Sequence, residues 1–249
     1  MPVNQTTTVI RHYLIILLFA GSFRLVAQQP VPIQDTSRLF IGKTADFIVT
    51  GDGRDAAWSK TDWVTLPVQE VSGEPPVTRI KALYSDKGLY FLFDCADRKL
   101  STTYDEDFQP LFKQDAIEVF LWPDTSQTIY FEYELSPLNY EWPLLMVHIN
   151  GRSGGWSPMR YEGEKRVQHA TSVEGGAKKS MAAVTRWRGE FFIPYRVLHP
   201  LINKPPQAGT QWRGNFYRLD YDQGYTTWTW KKTGPSFHTY QKFGTLVFR

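Results

Sequence analysis

The punctuation of this chain constrains its fold more than any other feature. From about residue 79 onward, short runs rich in β-branched and aromatic residues alternate with turn residues. Runs of that length, closed by Gly, Pro, Asn, Asp or Ser, read as strands of a sandwich or barrel. The expected strands are residues 79–84, 89–96, 116–122, 128–135, 144–149, 180–185, 188–194, 214–220 and 244–248. Helical turns are expected only at 55–59 and 194–198, and the glycine-rich stretches at 151–155 and 175–176 read as flexible loops. In "ALYSDKGLYFLFDCAD" (82–97) two strands flank Asp86, Lys87 and Gly88, with the glycine read as a positive-φ turn residue. The second of these strands is apolar on both faces, as suits a covered sheet.

The 249 residues fit one β-rich domain with room for a real core. Aromatic residues make up 15%, including nine Trp, which favours strands and ligand-stacking surfaces. Charge is nearly balanced at +3 with no extended basic run, so no nucleic-acid partner is expected. Arg11 and His12 precede the apolar run "YLIILLFA" (13–20), which is too short to span a bilayer. Residues 1–27 therefore read as a signal peptide, 28–40 as a linker and 41–249 as the domain, with a secreted or periplasmic location and no membrane span. The single cysteine, Cys95, sits in an apolar run and reads as a buried free thiol.

The chemistry concentrates in "QPLFKQDAIEVFLWPD" (109–124). Asp115 and Glu118 are an odd number of residues apart, so a strand puts them on opposite faces and they cannot act as one carboxylate pair. Asp115 reads as an anchor for the entering loop, Glu118 as a group facing a ligand. In "YFEYELSP", Glu132 and Glu134 share a face, an arrangement usually solvated in a sandwich. If 128–135 pairs with 116–122, Glu134 approaches Glu118, and a glycoside hydrolase using these two acids becomes the alternative reading. Trp58 reads as a core plug, and Asn215 and Arg218 as polar groups near an aromatic surface. The five histidines lack zinc spacing. No cofactor is expected, except that Asp105, Glu106 and Asp107 with Asp97 offer oxygens for a structural calcium. Met146 and His148, on one strand face, leave a haem-binding sandwich as a further alternative.

Six ordered blocks between Ile48 and Phe248 resemble the family 9 carbohydrate-binding modules in their bacterial standalone form. They are "GDGRDAAW" (51–58), "ALYSDKGLYFLFDCAD", "LFKQDAIEVFLWPD" (111–124), "RGEFFIPYRVL" (188–198), "WRGNFYRLD" (212–220) and "FHTYQKFGTLVF" (237–248). The resemblance implies an all-β, antiparallel, jelly-roll-like β-sandwich with short helical turns. It also implies a cleft for an oligosaccharide or polysaccharide and no catalysis by the module itself. The two sugar-stacking tryptophans of the family fall at Phe112 and Phe237, and its hydroxyl-binding glutamate at Glu118. Its strand arginine falls at Glu134 and a strand glutamine at Tyr217. The expected cleft is thus lined by Phe112, Glu118, Glu134, Tyr217, Arg218 and Phe237, in a protein of polysaccharide degradation or uptake.

Overall fold

The computed structural model describes residues 37–249, and Met1 besides. The signal-peptide stretch and most of the linker lie outside the described residues. The described strands are β1 (Arg38–Lys43), β2 (Val64–Thr65), β3 (Val68–Glu70), β4 (Thr78–Tyr84), β5 (Gly88–Ala96), β6 (Ala116–Trp122) and β7 (Ile129–Leu135). They continue with β8 (Glu141–Ile149), β9 (Arg152–Pro158), β10 (Gln168–Glu174), β11 (Arg186–Pro194), β12 (Gln211–Asp220), β13 (Thr226–Thr229) and β14 (Gly244–Phe248). The helical content is single 3-10 turns, among them Ala56–Lys60, whose first N–H groups Asp55 caps, and Leu111–Lys113.

The strands form one curled sheet in the order β10-β11-β5-β4-β1-β14-β12-β6-β7-β8-β9, with β13 also beside β12, β3 beside β13 and β2 beside β4. The sheet folds over at β1. Arg38 to Ile41 pair with β14, while Gly42 and Lys43 pair with β4. Both pairings are parallel, and every other ladder among the described residues is antiparallel, as expected of the sandwich. The stretch read as linker ends inside this seam strand.

The two halves of the folded-over sheet enclose the main core. Phe91, Phe191 and Trp187 from one half meet Val119, Tyr133 and Phe216 from the other. Ring contacts cross the gap, with Phe91 at 5.8 Å from Phe216 and Tyr133 at 4.9 Å from Phe191. Trp228 and Trp230 are part of this interior. Strand parity sets the division: on β6, Ile117, Val119 and Leu121 enter the core, and Ala116, Glu118, Phe120 and Trp122 turn outward. A second apolar cluster forms on that outer face and a third lies outside β4, β5 and β11 beneath Phe47 and Trp58.

Several local readings are corrected. Residues 180–185 form turns and a single bridge from Ala183 to Lys99, not a strand. Residues 194–198 turn without forming a helix. Of the stretch 151–155 read as a glycine loop, only Gly151 lies in the turn; residues 152–155 belong to β9, paired with β8. Gly88 opens β5 and is not among the positive-φ glycines; it is required because a Cβ there would lie 2.3 Å from the Ile193 carbonyl oxygen. Trp58 is a buried plug as expected, and its Nε1 donates to Glu190 Oε1 at 2.8 Å while Glu190 Oε2 accepts from Gly51 N at 2.7 Å. Cys95 is fully buried, and burial pushes its thiol up to about 12. No described helix is long and apolar enough to cross a membrane.

Candidate functional site

The register of four strands builds the site. Tyr217 of β12 lies opposite Glu118 of β6, Glu118 opposite Glu134 of β7, and Glu134 opposite Trp142 of β8. The next row on the same face runs Asn215, Phe120, Glu132, Leu144. Cross-strand neighbours on one face stand close enough for their side chains to touch. Over these rows opens a cavity of about 490 Å³. Its floor is formed by Glu118, Glu132, Glu134 and Trp142, its sides by Phe112, Trp156, Tyr225 and Phe237.

The aromatic walls are held from behind. Phe237 stacks on Tyr217 with centroids 4.2 Å apart, and Tyr217 Oη donates to the Phe237 carbonyl at 2.9 Å. Asn215 Nδ2 in turn donates to Tyr217 Oη at 2.6 Å. Phe112 rides on the Leu111–Lys113 turn. Its backbone N–H donates to Glu134 Oε2 at 2.8 Å, its carbonyl accepts from Tyr221 Oη, and its ring stacks on Trp142 at 5.9 Å. Trp156 of β9 meets Trp142 edge-on at 5.1 Å. Phe112 and Trp156 are both exposed, so the platforms have free faces.

The three glutamates are buried side by side. Among the described residues, no donor reaches Glu118 Oε2, Glu132 Oε2 or Glu134 Oε1. Burial pushes Glu132 up to about 8, and burial together with the neighbouring carboxyls pushes Glu118 and Glu134 well above the usual range. Glu132 and Glu134 stand two residues apart on one face of β7. His238 lies over this group, its Nδ1 hydrogen-bonded to Tyr130 Oη at 2.7 Å and 3.6 Å from Glu132 Oε2. Burial and His148 hold His238 down to about 4, so it is neutral at pH 7.

Of the six residues expected in the cleft, Phe112, Glu118, Glu134 and Phe237 line it. Tyr217 is fully buried beneath Phe237 and supports it rather than facing the cavity. Arg218 does not belong to the site: it points through the sheet into the interior. There it pairs with Asp97 at 2.9 Å and Asp220 at 2.8 Å, and donates to the Ala96 carbonyl at 2.7 Å. Its guanidinium also packs over Trp228 at 4.6 Å. Sequence reading left out Glu132, Trp142, Trp156 and His238. Glu132 is visible in the alternation with Glu134; Trp156 directly follows the stretch 151–155 read as loop and falls in no expected strand.

Asp115 anchors its loop, accepting from Ser101 N at 2.5 Å and Tyr221 N at 2.9 Å. The acids considered for calcium do not assemble as expected. Asp107 accepts from Glu141 N, and Asp105 and Glu106 are exposed. Asp97 instead joins Asp115 and Asp222, with ligand atoms within 4.8 Å of one another. Most of these oxygens already serve backbone N–H groups, Ser101 or Arg218. Met146 lines the cavity, whereas His148 packs against Tyr130 and Tyr240 without a hydrogen-bond partner.

A curled β-sandwich with an aromatic and acidic cavity on one outer face is the build of a ligand-binding module. The chain belongs to the carbohydrate family 9 binding domain-like family, whose model matches residues 49–249. Its fold is similar to that of a candidate carbohydrate-binding protein from Bacteroides uniformis ATCC 8492, with a TM-score of 0.70 at 16% identity over 85% of this chain and 99% of that one. It is also similar to a family 9 carbohydrate-binding module from Caldicellulosiruptor kristjanssonii solved with cellotriose, with a TM-score of 0.60 at 15% identity over 85% of this chain and 93% of that one. The same module solved with glucose gives a TM-score of 0.60 at 15% identity, over 85% of this chain and 95% of that one. No curated protein matches the chain.

Proposed function

We propose that this chain is a non-catalytic carbohydrate-binding module that works outside the cytoplasm, in the degradation or uptake of a polysaccharide. The observation that carries this reading is the row Tyr217–Glu118–Glu134–Trp142 beneath a cavity with aromatic sides. Sugars present C–H faces that stack on rings and hydroxyls that need polar partners in the same place. Phe112, Trp142, Trp156 and Phe237 supply rings, and the glutamates supply oxygens that no protein group occupies. The related module solved with cellotriose supports the ligand class, and the apolar N-terminal run supports export.

Binding fits the acids better than hydrolysis does. Glycosidase carboxyls flank the scissile bond from two sides, at least about 5 Å apart. Here Glu118 and Glu134 are direct cross-strand neighbours on one floor and do not face each other across the cavity. Calorimetry against a panel of plant and microbial oligosaccharides tests the reading. Saturable binding to at least one is expected, with no release of chromophore from chromogenic glycosides. Failure to bind any glycan in the panel overturns it.

A further inference from the structure

We infer that the sugar taken by this cavity carries a free amine: a glucosamine-type residue, as in a β-1,4-linked glucosamine oligomer. The inference rests on the carbohydrate-binding reading above and names the substrate class of that same site. Its first support is the sign of the ionisable groups around the cavity. Among the described residues lining the cavity there is no Lys and no Arg, while Glu118, Glu132 and Glu134 stand together on the floor with Glu70 at the rim. Three of the floor oxygens, Glu118 Oε2, Glu132 Oε2 and Glu134 Oε1, have no protein donor. An ammonium offers three donors and no acceptor.

The second support is independent of the acids. Trp142, also buried, lines the cavity with its indole Nε1–H unpartnered. That unpartnered donor suits a sugar hydroxyl or ring oxygen next to the amine, which a simple metal ion or polyamine does not provide. The stacked rings of Phe112 and Trp142 complete the fit, since aromatic faces attract both sugar C–H groups and ammonium ions.

Burial and the neighbouring carboxyls hold the acids' protons, and an entering ammonium, with its single positive charge, lets one of the three give its proton up. Binding therefore releases about one proton to the medium. The other groups packed around the floor do not compete for the charge. His238 and His148 are held down by burial and stay neutral. Tyr130, Tyr217 and Tyr225 are pushed up by burial and stay protonated. Glu70 stands apart from them at the exposed rim.

The test is calorimetry of the full chain with three trisaccharides of one linkage that differ at a single substituent: the β-1,4 glucosamine trimer, its N-acetylated counterpart and cellotriose. At pH 6.5 the amine is expected to bind about tenfold or more tighter than the other two, the gain of charge-assisted hydrogen bonds. Its enthalpy should change between buffers of different ionisation enthalpy in the sense of proton release. Glu118→Gln and Glu132→Gln keep side-chain size and are expected to lower the amine-to-cellotriose affinity ratio by about tenfold. Equal or tighter binding of cellotriose overturns the amine inference and leaves carbohydrate binding standing. Equal affinity for spermidine overturns it in favour of a plain cation site. Binding of none of the three overturns it too, and the wider glycan panel then decides the fate of the carbohydrate reading.

Discussion

Arg218 and Glu134 reverse the roles their positions suggest. The cation expected at the ligand turns inward and holds the sandwich together, and the acid standing where a family cation is expected faces the cavity. Period-two alternation already separates Tyr217 from Arg218, and applying it to β12 as strictly as to β6 would have removed Arg218 from the site. What alternation could not show is which acids are buried. Glu132 and Glu134 sit on a face that is solvated in most sandwiches, and only the covering segments around Phe112 and His238 close it off. Replacing Arg218 by Met leaves Asp97 and Asp220 buried without their partner, and the expected loss of stability in urea unfolding is about 3–5 kcal/mol. A wild-type midpoint in that variant would show that the ion pairs contribute nothing net. Phe237→Ala acts on the ligand side: it removes a platform that Tyr217 backs, and affinity for a bound oligosaccharide is expected to fall by more than about 1 kcal/mol. The melting temperature should move little, because Phe237 is only partly buried.

At the scale of elements, the inner strands were legible and the edges and seam were not. β4, β5, β6, β7, β11, β12 and β14 carry long apolar runs, so their existence follows from the chain alone. β9 and β10 stand at the two ends of the sheet, β9 mostly exposed and β10 mostly half-buried, and the glycines of β9 and the polar residues of both look like loop. β1 fills a seam and needs few apolar residues of its own; Ile41 is its one fully buried side chain. Short β13 was hidden in a run of alternating Thr and Trp. Close backbone approaches are likewise invisible in sequence. Gly244 opens β14 where a Cβ would come within 2.2 Å of the Trp230 ring, itself packed in the core. Gly244→Ala is expected to cost about 1–3 kcal/mol through overpacking, read as a lower urea midpoint at unchanged slope.

For the whole molecule, stability is tied to pH from both sides. Burial raises Glu132 to about 8 and Glu141 to about 7. Below the ordinary carboxyl range both states hold these protons. Above it the unfolded chain sheds them first, so stability falls as pH rises towards 8. His169 and His238 are held down to about 4 by burial, so below about 6.5 the unfolded chain takes up protons that the folded one refuses, and stability falls on that side. The melting temperature is therefore expected to decline between about pH 6.5 and 8, and Glu132→Gln should shallow that decline. An unchanged slope in Glu132→Gln would mean that the carboxyl ionises at its ordinary value when folded.

The division of each central strand into inward and outward residues has a consequence for descent. On β6 the core reads Ile117, Val119 and Leu121, and the ligand side reads Glu118, Phe120 and Trp122, with no residue in both sets. A lineage can exchange one set while inheriting the other intact. Two sandwiches sharing 15% or 16% of their residues at TM-scores of 0.60 and 0.70 are what such inheritance permits. The scaffold is then a common possession, and the menu of each descendant is written on the alternate residues.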